Sequence, residues 1–316
     1  MFEERYKLED LDPDWVRSLE VVIVGDGTDK RVSFIPARFC SDFKGQAYRL
    51  SYEMKTEQCT VAKLERLDPM SETVEIYSGD ITVGLPRALD SIGVRDRNVL
   101  VDITGMKHPA LFYLFKLLID NYKPKRLFGG YTEPERYVPH GSTEIEEHFQ
   151  LFEGYLGICA LPGFARLPDD RKNKCLVAFL GFEGARLQYV HGEVEPGERD
   201  AVAVIGFPAF RPGWQNVTIA SNQSALQSTR TFLYVRTATA FSPFDAYRVL
   251  EELQADRPNE RLIVAPIGTR PHALGCALYA IGHPTAYLLY DFPIEVQQHR
   301  TENTGICHVY HLSSFL

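Results

Sequence analysis

The six cysteines of this chain, Cys40, Cys59, Cys159, Cys175, Cys276 and Cys307, form no CxxC pair. Neither a zinc ribbon nor a thioredoxin-type motif can be drawn from that spacing, so most are expected to be buried, reduced, small hydrophobes. Long apolar runs are missing too. The stretches around Leu111–Ile119 and Gly275–Ile281 fall well short of the roughly 20 residues that cross a bilayer. Met1 to Asp14 is rich in charge and lacks an apolar core of signal-peptide type, so the expectation is a cytoplasmic protein with no membrane segment. An excess of positive charge is also absent. Lys plus Arg number 34 against 42 Asp plus Glu, for a net charge of −8, which argues against long DNA or RNA as a partner. A small anionic ligand in one local basic pocket is compatible with that balance. No low-complexity segment occurs, and 45% hydrophobic with 24% charged residues excludes intrinsic disorder, collagen and coiled coil. At 316 residues the chain has room for about two domains.

What is present is an internal similarity. Val99–Leu111 aligns without a gap on Leu262–Leu274, pairing Gly105 with Gly268, Lys107 with Arg270, Ala110 with Ala273 and Leu111 with Leu274. The shared pattern is strand, Gly-x-(Lys/Arg)-x-x-Ala-Leu, helix. The flanks extend it in the same order. Val21–Gly25 resembles Val177–Gly181, and five residues after each glycine stands a base, Lys30 or Arg186. Downstream, Arg126–Pro134 resembles Ala286–Pro293 around Tyr131 and Tyr290. Such self-similarity reads as two copies of one unit.

Each copy contains short runs of Val, Ile, Leu and Phe, as strands buried on both faces of a parallel sheet require. In the second half these are Cys175–Leu180, Ala201–Ile205, Thr231–Val235, Arg261–Pro266, Ala286–Tyr290 and Cys307–His311. Helices are expected over Pro109–Asn121 and over Pro243–Gln254, the latter opened by Ser242 and Pro243 as N-cap and first-turn residue. Alternation of this kind implies an α/β fold, two tandem Rossmann-like three-layer units with mostly parallel sheets from an internal duplication. The expected division is 1–160, a linker over 161–174 rich in turn formers and charge, and 175–316.

In an open parallel sheet, ligands bind beyond the carboxyl ends of the strands. A glycine there lets the backbone approach closely, and the amides and dipole of the following helix favour an anion. Gly105, Thr104 and Lys107 in one copy, and Gly268, Thr269 and Arg270 in the other, are therefore the candidate anion-binding residues, with Lys30 and Arg186 behind them. G-x-G-x-x-G and G-x-x-x-x-G-K-(S/T) are both missing, so an ordinary NAD enzyme or P-loop NTPase is not expected, and no cofactor is implied.

Catalytic candidates are sparse. His272 at a helix N-terminus would be held neutral, fit for acid–base work, with Asp102 and Asp291 at strand ends as carboxylate candidates. Arg186 and His191 make an R-x4-H match of the kind found in metal-independent ribonucleases, but it is a short motif on an α/β background. His308 and His311, three apart on an expected strand, point to opposite faces and cannot share a metal, so no metal site is expected. The loop Phe207–Trp214 is suited to stacking on a base, covering a ligand or touching a protein. No complete catalytic set is displayed, and the reading leans away from an enzyme.

Asp102–Lys107 and Ile267–Arg270, each after a central strand of tandem Rossmann-like units, resemble the CRISPR-associated Rossmann-fold (CARF) and related SAVED sensor domains of prokaryotic immunity. The resemblance covers the layout of most of the chain. It implies a Thr-Gly-x-Lys type loop approaching a cyclic oligonucleotide and two units combining into one pocket. No fused nuclease, protease or membrane effector is recognisable here, so a sensor of this kind would need a partner effector or self-association. The expected function is binding of a nucleotide or other phosphorylated small molecule. A nucleotide-processing enzyme with its site between the halves and a non-catalytic scaffold subunit are the alternatives.

Overall fold

A computed structural model describes residues 4–7, 10, 12–27, 30–33, 35, 42–56, 59–67, 74–137, 152–158, 161–165, 173–231, 234–295 and 301–316. The chain divides into two compact units, Met1–Val138 with His299–Leu316, and Pro139–Gln298.

The first unit is built from β1 (Glu4–Lys7), α1 (Pro13–Ser18), β2 (Val21–Gly25), a 3-10 turn at Lys30–Ser33, β3 (Gln46–Thr56), β4 (Cys59–Leu67), β5 (Val74–Gly79), α2 (Ile81–Ile92), β6 (Asn98–Asp102), α3 (His108–Lys116) and β7 (Arg126–Tyr137). A π-helical turn, Leu117–Tyr122, prolongs α3. The last strand of the chain, Thr301–His311, completes the sheet and is numbered β15 below. The spatial order is β1-β15-β7-β6-β2-β3-β4-β5. Only the central run β7-β6-β2-β3 is parallel. β1, β15, β4 and β5 join antiparallel.

This corrects the expectation of a mostly parallel sheet in both halves. The reason lies in the side-chain pattern of β3 and β4. Tyr48, Leu50 and Tyr52 are buried while Arg49 and Glu53 are exposed, and Ala62 and Leu64 alternate with more open neighbours. A sheet solvated on one face takes hairpin strands of this kind, whereas β2 and β6 are buried at every position and suit the doubly covered centre. One face of the sheet packs Val22, Val24, Leu100, Phe128, Cys307 and Val309 against Val16 and Leu19 from the α1 region and against Ile35.

The second unit contains β8 (Phe152–Tyr155), β9 (Asn173–Phe179), α4 (Gly184–Val194), β10 (Ala201–Gly206), α5 (Trp214–Ser221), α6 (Gln223–Ser228), β11 (Val235–Ala238), α7 (Pro243–Asp256), β12 (Glu260–Pro266), α8 (Arg270–Gly282), β13 (Tyr287–Leu288) and β14 (Pro293–Glu295). Its five-stranded sheet runs β11-β10-β9-β12-β13 with every pair parallel. A separate two-stranded ribbon pairs β14 with β8. Leu187, Val190 and Val194 of α4 and Ala225 and Leu226 of α6 pack on Leu176, Ala178, Ala203, Ile205 and Ala265. The opposite face meets α8, where Phe179 touches His272 edge-on at 5.3 Å. Helices on both faces make this an α/β/α three-layer unit. The expected helix at Pro243 is present, capped by Ser242, which accepts from Asp245 N. The strand expected over Thr231–Val235 instead starts at Val235.

The division of the chain differs from the expected one of 1–160, 161–174 and 175–316. Cys307–His311 does form a strand, but it lies in the first unit's sheet between β1 and β7. Its residues Cys307, His308, Val309 and Tyr310 are buried, so hydrophobicity alone announces a strand but not its partners. Of the expected linker, residues 166–172 lie outside the described residues, and the remainder belongs to the second unit.

Candidate functional site

In both units the chain leaves a central strand to one side and returns on the other. That topological switch point lies between β2 and β6 in the first sheet and between β9 and β12 in the second. Loops diverge there, and that is where α/β folds place ligands. At both points two glycines bring the loops into backbone contact. A Cβ on Gly25 would sit 2.3 Å from Gly105 C and Met106 N. One on Gly268 would sit 2.7 Å from Leu180 O, and one on Gly181 2.9 Å from Ile267 O.

The first-unit turn is sealed. Thr104 and Met106 are 1% and 0% exposed, and a Cβ on Gly105 would meet Val32 Cγ2 at 2.4 Å, so Val32 covers the turn. Asp102 Oδ1 accepts from Thr104 N at 2.9 Å and from Thr104 Oγ1 at 2.6 Å. The same hydroxyl oxygen accepts from Thr132 N at 2.9 Å. Asp102 and Thr104 thus tie the loop after β6 to the middle of β7. Lys107 is half-exposed at the N-cap of α3 and makes no side-chain cap bond. Lys30 opens the 3-10 turn, and its side chain lies outside the described residues. The buried base at this place is its neighbour Arg31, whose Nη1 donates to Thr132 O at 2.9 Å.

The second-unit turn is open: Gly181, Gly268, Thr269 and Arg270 are all half-exposed. Thr269 caps α8 by accepting from His272 N at 3.3 Å, and its hydroxyl donates to Ala240 O at 2.7 Å. Arg270 is the first helical residue and Pro271 the next. In the first unit Lys107 is the cap, His108 the first residue and Pro109 the second. The two helices therefore start one residue out of step with the gapless alignment, so Lys107 stands where Thr269 does.

Arg186 and Asp291 form one buried ion pair, with side chains 5% and 0% exposed. Arg186 Nε donates to Asp291 Oδ2 at 2.7 Å, Nη2 to Oδ1 at 2.5 Å and Nη1 to Ile267 O at 3.3 Å. Burial alone would lower the guanidinium pKa, but the charge and hydrogen bonds of Asp291 outweigh it and the net shift is upward. Arg186 is thus consumed inside the fold rather than offered to a ligand or to an R-x4-H reaction. It plays the part Arg31 plays in the first unit: a base after the first parallel strand holds the residue after Tyr290, as Arg31 holds the residue after Tyr131. His272 is fully buried, and burial pushes it down to about 4. Its Nε2 lies 3.0 Å from Thr239 O, which makes Nε2 the protonated nitrogen of a neutral ring. Nδ1 is then a buried acceptor with no partner among the described residues.

Sequence reasoning did not anticipate how the loops of the second unit join. Phe182, Phe210, Trp214 and Phe241 are half-buried and come from the loops after β9, β10 and β11. Phe182 meets Trp214 edge-on with centroids 6.0 Å apart, Trp214 meets Phe210 at 6.4 Å and Phe210 meets Phe241 at 6.2 Å. Phe241 follows Ala240, whose carbonyl holds Thr269. Thr269 follows Gly268, and Gly181, against which Gly268 packs, precedes Phe182. These contacts close into a rim at the carboxyl edge of the sheet, aromatic on the β10 and β11 side and basic at Arg270. The only hint in the sequence was the Phe207–Trp214 loop.

Elsewhere in the first unit Glu133 and His308, both 2% exposed, pair through Oε1 and Nε2. His311 stacks on Phe128 across the sheet from this pair, in keeping with the expected opposite faces. Among the described residues no group of three or more His, Cys, Asp or Glu could hold a metal ion, and no helix is long and apolar enough to cross a membrane. Burial raises the thiol of Cys175 to about 11 and that of Cys276 well above its ordinary value, so both are inert core groups. No family model matches the chain, and no curated protein is detectably similar to it.

Proposed function

We propose that the chain is a sensor or regulatory protein that binds a nucleotide or another phosphorylated small molecule at the carboxyl edge of the second unit's sheet. The observation that carries this reading is the half-exposed turn Gly268–Thr269–Arg270, set at a switch point and leading into the 13-residue helix α8. The dipole of that helix and the Arg270 guanidinium favour an anion together. The similarity of both glycine-basic turns to CARF and SAVED domains supplies the setting: prokaryotic antiviral defence, with output through a partner effector or through self-association in the cytoplasm. A duplicated origin belongs to the same reading, supported by the common parallel order β3-β2-β6-β7 and β10-β9-β12-β13 and by a glycine contact at each switch point.

Thermal denaturation with and without nucleotides tests the reading. Stabilisation grows as RT ln(1 + [L]/Kd), so ligand at 100 Kd adds about 2.7 kcal/mol. Arg270→Ala is expected to abolish that gain at the same ligand concentration while leaving the unliganded melting temperature nearly unchanged. Absence of a shift with mononucleotides, dinucleotides and cyclic oligonucleotides alike would sink the reading.

A further inference from the structure

We infer that the second unit holds one complete site per chain for an anion that carries a planar aromatic ring, the ring lying against the Phe207–Trp214 side of the rim and the anion at Thr269 and Arg270. This rests on the proposed anion reading and narrows it. The rim is closed by contacts within the second unit alone: Gly181 to Gly268, Thr269 to Ala240, and the chain of rings Phe241, Phe210, Trp214 and Phe182. An aromatic wall and an anion turn therefore face one edge of one sheet, on adjacent loops.

The polar groups at the rim fit the same ligand. Arg211, within the aromatic loop, has its Nε buried and without a hydrogen-bond partner among the described residues. His272, whose Cε1 lies beside Gly206 at the end of β10, keeps its Nδ1 buried and without a hydrogen-bond partner among the described residues. A donor and an acceptor left unmatched in an aromatic setting suit a heterocycle, which presents both kinds of group at its edge. Phe207 adds a ring that is 51% exposed, at the place where β10 ends. Rings of this kind gain by stacking on a planar partner. A sugar phosphate would satisfy Arg270 and leave the aromatic wall uncovered. The sealed first-unit turn, with Val32 over Gly105, offers no second site, so the stoichiometry is one.

Trp214 reports directly, because the chain has only two tryptophans and the other, Trp15, lies in the first unit against Phe128. In full-length Trp15→Phe protein, the four ribonucleoside 5′-monophosphates and ribose 5-phosphate are titrated while Trp214 fluorescence is followed, with calorimetry for stoichiometry. At least one nucleotide should change the fluorescence saturably at one equivalent per chain and bind at least tenfold tighter than ribose 5-phosphate. Phe207→Ala, an exposed change that leaves the core intact, should bring that ratio toward one without weakening ribose 5-phosphate, whereas Arg270→Ala should weaken both. Equal affinities, a silent Trp214 or two equivalents per chain would overturn this inference and leave the anion reading standing. Binding of none of the five probes would overturn this inference, and the anion reading would fall with it only if dinucleotides and cyclic oligonucleotides also left the melting temperature unmoved.

Discussion

The two units use one backbone device for opposite ends. In each, a glycine at or just past the end of the first parallel strand lets the loop after a neighbouring strand come into backbone contact, and a buried arginine holds the residue after a tyrosine, Thr132 within β7 or Asp291 beyond β13. In the first unit Val32 then closes over the turn, and Asp102, Thr104 and Thr132 lock it from inside. In the second the turn stays half-exposed and is edged by aromatic rings. A glycine-basic signature therefore marks a way of packing two loops, and what covers the turn decides whether it can meet a ligand.

The difference can be broken most severely at the arginine clamps. Asp291→Ala leaves the Arg186 guanidinium buried without its carboxylate, and a loss of about 3–5 kcal/mol is expected, seen as a lower urea midpoint. Thr132→Ala, the counterpart in the first unit, should cost far less, because Arg31 bonds the backbone carbonyl of that residue.

Acid sharpens the contrast next. His272 is held at about 4 in the folded chain, down from 6.5, by burial, and the aligned residue of the first copy is Pro109. Between these two values the unfolded chain takes up a proton that the folded one refuses. Stability falls as pH drops from 6.5 toward 4, by about 3 kcal/mol in all, and this group contributes no pH dependence above that window. In His272→Gln, the pH slope of denaturation free energy should lose up to one proton's worth.

Glycine substitutions separate the two turns by what the added methyl meets. Gly105→Ala runs into Val32 Cγ2 at 2.4 Å and Gly268→Ala into Leu180 O at 2.7 Å, each costing about 1–3 kcal/mol. Adding Val32→Ala should recover part of the first loss, while no side-chain trimming relieves the second. The mildest expectation concerns ligand response alone: Lys107→Ala should leave nucleotide-induced stabilisation unchanged, where Arg270→Ala removes it.

Much of the second unit was legible in the residues, because its strands are short, apolar and punctuated by strong helix starts such as Ser242 with Pro243. The first unit was less so. β3 and β4 alternate buried Tyr48, Leu50, Tyr52, Ala62 and Leu64 with more open, mostly polar neighbours, a period-two signal much fainter than the fully apolar runs of β2 and β6. The place of β15 was unreadable, since strand partners are set by long-range packing and His308, Val309 and Tyr310 would be buried in either sheet. Among the candidate site residues, Gly105 and Gly268 sit just beyond the carboxyl ends of β6 and β12 as expected. Lys30 was one residue from the buried base, Arg31, because a turn hides which of two neighbouring side chains faces inward. Arg186, Asp291 and Asp102 announced charge at strand ends, and nothing local could tell that these groups satisfy one another or the backbone. The rim of Phe182, Phe210, Trp214 and Phe241 joins loops from three strands, a relation that no single stretch of sequence contains.

The position of β15 has a consequence for how the protein is made. Among the described residues β1 pairs with β15 alone, and β15 lies between β1 and β7. On the ribosome, all of the residues of the second unit emerge before the strand that completes the first. The second unit can finish folding while β1 and the exposed flank of β7 still wait for the last stretch of chain. A nascent chain stalled between Glu295 and Thr301 would hold every strand of the parallel sheet but lack the strand that completes the mixed one.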